Sequence, residues 1–171
     1  MPVEIERKFL LANDAWRAEV SRSRRMAQGY LGTPGGKASV RVRVDGVEAR
    51  FNIKAAVVGA ARAEYDYPMA AADANEILDA LCVGRVKKTR HYVERGPHVW
   101  EIDEFAGDNA GLVVAEIELS AVDESFQRPA WLGAEVTDDP RYYNHALAVH
   151  PWSAWGDADA PLSTAASVPQ K

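Results

Sequence analysis

The stretch Val3–Leu10, VEIERKFL, sets Glu4, Glu6 and Lys8 in alternation with Val3, Ile5, Arg7 and Phe9. In an extended chain successive side chains point to opposite faces, so two carboxylates and an ammonium share one face while Val3, Ile5 and Phe9 share the other. Alone, the octet reads as a half-buried strand with its charged side in water. The same arrangement recurs along the chain. Arg41 and Arg43 stand opposite Val40, Val42 and Val44, and Asn52 and Lys54 stand opposite Phe51 and Ile53. Further on, Glu64 shares a face with Asp66, Lys88 with Arg90, Glu101 with Asp103 and Glu116 with Glu118.

Like charges at that spacing repel, so a sheet gains no stability by repeating them. A solvent-facing sheet mixes Lys, Glu, Thr, Ser and Gln, whereas these strands are segregated by sign. The segregation points to a charged cavity. Eight strands are expected: the opening one, the two of the hairpin SVRVRVDGVEARFNIK with a type I′ turn at Asp45-Gly46, and Met26–Leu31, Arg62–Tyr67, Arg85–Glu94, Val99–Phe105 and Leu112–Ser120. The fold class is mainly β (α+β): an eight-stranded antiparallel β-barrel with its charged face inward and helices packed on its apolar exterior. A lumen lined by opposed acidic and basic walls cannot stay dry, and it calls for water, cations and a charged ligand. A polyphosphate with divalent cations uses both walls, because Arg and Lys grip phosphate oxygens while clustered carboxylates hold Mg²⁺ or Mn²⁺.

Helices are expected at about Asn13–Val20, with Asn13 as N-cap, at Ala72–Cys82, and from Asp139-Pro140 to about Val149. The last either plugs a barrel opening or packs on the outer wall. Residues 1–150 form one domain, and 151–171, small, polar and Pro-containing, form a mobile tail. The 171-residue chain can bury a core without disulfides. Its net charge of −5 and pI near 5.4 argue against a general nucleic-acid surface. Cys82, the single cysteine, sits in an apolar pattern and reads as a buried thiol. With no apolar signal core and no membrane-length apolar segment, the protein reads as cytoplasmic, with no membrane partner. A homodimer is compatible with the chain.

These motifs carry a family resemblance. The E-x-E-x-K of Glu4, Glu6 and Lys8 resembles the signature of the CYTH superfamily, the triphosphate tunnel metalloenzymes. QGYL, VRVR, the Lys54 strand, EYDY, KTR, DEF, AEIEL and EVTDDPRYYN resemble that family's successive blocks in order, up to about Asn144, as in short bacterial inorganic triphosphatases. The resemblance implies a tunnel that hydrolyses a triphosphate-containing substrate with Mg²⁺ or Mn²⁺. It implies that Lys8, Arg41, Arg43, Lys54, Lys88 and Arg90 cradle the triphosphate, with Tyr30 either lining the tunnel beside it or filling space. It further implies that Glu4, Glu6, Glu116 and Glu118 hold metal and act with Lys8 in catalysis, that Glu64 and Asp103 complete the metal-binding acidic lining, and that Asp66 adds to that lining. Asp66 and Asn52 stand where the family commonly has glutamate and threonine. Inorganic tripolyphosphate is the expected substrate; thiamine triphosphate hydrolysis, adenylate cyclase activity and non-catalytic polyphosphate binding are the alternatives. No dedicated nucleoside-binding extension is evident.

Other signals carry less. GTPGGKAS at 32–39 lacks the spacing of a phosphate-binding loop and reads as a turn. His91, His98, His145 and His150 share no zinc-site spacing and read as surface or packing residues. The five scattered tryptophans read as packing against the barrel.

Overall fold

The computed structural model describes residues 3–32 and 35–156. Among the described residues nine strands form: β1 (Val3–Leu11), β2 (Arg22–Leu31), β3 (Ala38–Asp45), β4 (Glu48–Ala55), β5 (Ala61–Met69), β6 (Gly84–Arg95), β7 (His98–Ala106), β8 (Val113–Glu118) and β9 (Leu132–Glu135). They pair antiparallel in the order β5-β4-β3-β2-β6-β7-β8-β1, and β5 also pairs with β1 through Val3–Ala63, Glu4–Arg62 and Ile5–Ala61. That last pairing closes an eight-stranded barrel. β9 is the addition that sequence alone did not yield: it lies along the second half of β1, where Gly133 approaches the Leu10 carbonyl so closely that a Cβ would stand 2.8 Å from its oxygen.

The period-two pattern sorts inside from outside. Phe9, Trp100, Ile102, Ala115 and Ile117 project outward and are covered by Trp16, Trp131 and Phe126. On the opposite flank, Val42, Ala49 and Phe51 are covered by helix α1 (Ala71–Ala80) through Ala74 and Leu78. Closure thus buries two apolar exteriors under separate covers. The expected helix near Asn13 is a single 3-10 turn, Ala15–Glu19, with the Asn13 carboxamide accepting from the Ala15 amide at 3.0 Å. In the hairpin, Asp45 pairs with Glu48, so the loop is Gly46-Val47. Positive φ occurs at Gly46 (+63°) alone, the pattern of a type II′ turn rather than I′. β2 begins at Arg22, four residues earlier than expected, so Arg22 and Arg24 belong to a strand at the exposed rim. Arg22 lies over the Tyr92 ring, and Arg24 pairs with Asp45 and Glu48. Cys82 is half-buried rather than buried, with its thiol against the bare face of Gly29.

The C-terminal segment plugs one end of the barrel. Asp139 caps as expected, its carboxylate accepting from the Arg141 amide, but extended backbone at Tyr143 breaks the helix into a 3-10 turn (Pro140–Tyr142) and the short α2 (Asn144–Leu147). Tyr142, Leu147 and Val136 pack on Val86, Phe105 and Val114, which point into the barrel at that end. Trp152 and Trp155 pack on the same cluster, so the packed unit continues past residue 150. The remainder of the expected tail, 157–171, lies outside the described residues. Removing residues 140–171 should strip this apolar plug. Since each lost kcal/mol lowers the melting temperature of such a domain by about 2–4 °C, a fall of roughly 10 °C or more, or insoluble protein, is expected in thermal melts. A soluble truncation melting like the full chain would make the segment an appendage. Among the described residues no helix is long and apolar enough to cross a membrane.

Candidate functional site

A cavity of about 640 Å³ runs through the lumen. Strand β1 contributes Glu4, Glu6 and Lys8, β2 Tyr30, β3 Arg41 and Arg43, and β4 Asn52 and Lys54. Arg62, Glu64 and Asp66 come from β5, Arg90 from β6, Glu101 from β7, and Glu116 and Glu118 from β8, while Tyr143, Asn144 and His145 reach in from the plug. Register explains the convergence: Lys8 stands opposite Glu116, Glu6 opposite Glu118, and Glu101 opposite Glu116. Two of these three pairs set like charges directly across the ladder, which costs stability and marks a site.

The acids and bases pair across the lumen. The Lys8 ammonium lies between Glu6 and Glu116, while Lys54 pairs with Glu4 and stands 3.6 Å from Glu6. Arg90 grips Asp103 in a fork at 2.7 Å through Nε and Nη2, and reaches Glu116 at 2.7 Å. Burial works against the charge on Lys8, yet Glu116 and Glu6 prevail and hold its pKa above the usual lysine value. Burial likewise pushes Glu116 up, but Lys8, Arg90 and Lys88 hold it well below the usual carboxylate range. Glu4 differs: burial, then the neighbouring Glu6, raise it to about 7 against the pull of Lys54. Burial also pushes Glu64 upward, but hydrogen bonding with Glu4, together with Lys54 and Asn52, leaves it lowered.

The basic wall is less well compensated. The guanidinium Nε atoms of Arg41, Arg43 and Arg62 are buried without a hydrogen-bond partner, and Arg41 stands 3.8 Å from Glu64. Burial, then repulsion from Arg41 and Arg90, lowers the pKa of Arg43.

Two expected site residues sit behind the lining. Asp103 is fully buried (0% exposed), and its partners are Arg90 and Lys88. Lys88 pairs with Asp103 and donates to the Asn144 carboxamide at 3.2 Å. This geometry makes Asp103 and Lys88 supports for Arg90 and the plug. Tyr30 lines the cavity, and its hydroxyl accepts from Gln28 Nε2 at 2.8 Å. Sequence reasoning left Arg62, Glu101, Tyr143, Asn144 and His145 without a site role. Alternation with Glu64 and with Asp103 was the available signal for Arg62 and Glu101, whereas for Tyr143, Asn144 and His145 it was the expectation that the last helix could plug an opening, which named no contact within the tunnel.

The donor chemistry on the acidic wall, carboxylate oxygens alone, suits a hard divalent cation. Glu6 raises the pKa of Glu4 and stands opposite Glu118 on the ladder, a grouping of like charges that a divalent cation would offset. Among the described residues no three His, Cys, Asp or Glu side chains already converge on a cation position, since lysines and Arg90 hold the acids.

A closed antiparallel barrel whose lumen is lined by sign-segregated charge and plugged at one end defines the class of protein. The CYTH domain family matches residues 2–143, and the chain belongs to it. It is 41% identical over 153 residues, covering 89% of this chain and 97% of the relative, to a protein of Acetivibrio thermocellus named inorganic triphosphatase. It is 37% identical over 152 residues to one of the same name from Nitrosomonas europaea, covering 85% and 97%. A crystal structure of an inorganic triphosphatase superposes with a TM-score of 0.62 at 35% identity, covering 86% of this chain and 95% of that one. A protein from Pyrococcus horikoshii shares the fold at 18% identity, with a TM-score of 0.55 and 70% and 81% coverage.

Proposed function

We propose that the protein is a divalent-metal-dependent hydrolase that cleaves inorganic tripolyphosphate into pyrophosphate and phosphate inside the tunnel. The observation that carries this reading is the set of guanidiniums of Arg41, Arg43 and Arg62, each with a partnerless Nε, lining the same cavity as the carboxylates. A buried donor left unsatisfied costs about 1–3 kcal/mol, and a multiply charged oxyanion supplies the missing acceptors. The two relatives named inorganic triphosphatase, matched over 97% of their length, support the same choice of substrate.

In this reading Arg41, Arg43, Arg90, Lys54 and Lys8 hold the phosphate chain, and Tyr30 lies beside it. CYTH membership implies divalent metal in general, and we assign Mg²⁺ or Mn²⁺ to Glu4, Glu6, Glu116 and Glu118, with Glu64 as further acidic lining. When bound, such a cation neutralises charge on the phosphoryl oxygens. Lys8 and Lys54, now held by the acids, then exchange those partners for phosphate oxygens. Water attacks a terminal phosphorus in line with the bridging oxygen, the P–O bond breaks, and pyrophosphate leaves. The guanidiniums stabilise the charge spread over the transferring group through fixed placement. Like the expected sequence assignment, this reading places the activity in the cytoplasm.

Glu4 gives the pH dependence a sign. Its folded-state pKa near 7 means that it carries a proton below neutrality, and cation binding must expel that proton. Apparent Mg²⁺ affinity should therefore weaken as pH falls below about 7, by up to about tenfold per pH unit, and level off above it. Calorimetric Mg²⁺ titrations from pH 6 to 9 measure this, and Glu4→Gln should bind more weakly throughout and flatten the profile. The substrate reading is tested by kcat/KM for tripolyphosphate, ATP and thiamine triphosphate in parallel. Tripolyphosphate should lead, and a preference for either of the others would replace this proposal.

A further inference from the structure

His145 belongs to the plug, yet its imidazole lines the tunnel. Its ring lies 6.2 Å from that of Tyr30 on β2 and 5.8 Å from that of Tyr143, both near edge-on. Tyr143 is itself fixed: its hydroxyl donates to the Thr137 carbonyl at 2.7 Å, its ring lies under the Arg62 guanidinium at 4.9 Å, and the Gly59 amide donates to its oxygen at 3.3 Å. The imidazole is therefore held between two anchored rings. No hydrogen bond joins either ring nitrogen to a described residue. Burial and the charges of Arg62, Lys54 and Lys8, on three different strands, lower its pKa, which favours the neutral imidazole.

A histidine that served only to pack would gain nothing from this position. The His145 nitrogens are not among the buried unpartnered atoms and so are open to the lumen, whereas Phe would fill the same gap between the tyrosines and offer the lumen no donor. Lys54, Arg62 and Lys8, on the neighbouring strands β4, β5 and β1, make this stretch of the tunnel wall a place for an anion. We propose that His145 is a substrate-contacting residue whose imidazole N–H donates to the terminal phosphoryl group at the plugged end of the tunnel. This rests on the triphosphate reading above and adds to it a residue from the plug.

Three variants separate contact from packing. His145→Phe keeps the ring and loses the donor, His145→Ala loses both, and His145→Gln keeps a donor of similar reach. Steady-state kinetics with tripolyphosphate and Mg²⁺ should show kcat/KM falling about tenfold or more for His145→Phe and at least as far for His145→Ala, since hydrogen bonds to charged groups carry such factors. His145→Gln should stay within about threefold of wild type under the same rule. Wild-type kcat/KM in His145→Phe would overturn the contact, as would a fall in His145→Gln as deep as in His145→Phe. A wild-type protein without tripolyphosphate turnover would instead overturn the functional reading on which the contact rests.

Discussion

Arg43→Ala is expected to lower kcat/KM for tripolyphosphate by about tenfold to more than a hundredfold, the factor carried by one charge-assisted phosphate contact of about 1.5–3 kcal/mol. The same change should leave the substrate-free protein as stable as wild type or more so. Arg43 is half-buried with an unpartnered Nε, and its charge is disfavoured by burial and by Arg41 and Arg90, so its removal relieves repulsion. Loss of activity with undiminished melting temperature is the signature of a residue placed for ligand rather than for fold. Arg41→Ala should follow it in activity. The contrast is Arg7→Ala on the barrel exterior, where the guanidinium holds Glu135 and lies 5.0 Å over Phe126; it should cost stability and spare kcat/KM. Arg22→Ala and Arg24→Ala, at the rim, should change activity far less than the lumen variants. Equal losses in the lumen and exterior sets would mean that the basic wall is no site.

On the acidic wall, Glu116→Gln is expected to remove most turnover and also to lower stability. Glu116 is buried and accepts from both Lys8 and Arg90, and breaking such a buried pair costs about 3–5 kcal/mol when one charge is left uncompensated. Glu118→Gln provides the cleaner variant. It stands opposite Glu6 without an ion pair among the described residues, so turnover should fall while the melting temperature holds. Excess chelator should abolish turnover, because triphosphate alone is repelled by the acids. Full activity of both variants at saturating Mg²⁺ would remove the metal assignment.

The barrel was legible because alternation in VEIERKFL, VRVRV and AEIEL states which side of each strand meets charge, and a strand register slip would invert every face at once. The signs of those charges also revealed that the inward side was a cavity. What escaped was whatever depends on contacts distant in sequence. β9 has four residues, too few to show a period, and exists because Leu132 and Glu135 meet β1. His145 looked like one of four unrelated histidines, since its neighbours Tyr30 and Arg62 lie far away in the chain. Asp103 shares the period of Glu101, yet one residue lines the lumen and the other is sealed behind it by Arg90 and Lys88. Alternation reports the face a side chain takes, whereas its access to the lumen is set by the neighbours that cover it, here Arg90 and Lys88.

The central claim, that this lumen hydrolyses tripolyphosphate to two products, is tested most directly by following tripolyphosphate with the protein and Mg²⁺ by ³¹P NMR. The account predicts loss of the terminal and central triphosphate resonances with pyrophosphate and phosphate appearing in equal amounts, and no reaction once chelator is added. Unchanged tripolyphosphate beside ATP converted to a cyclic nucleotide, or turnover indifferent to chelator, would contradict it.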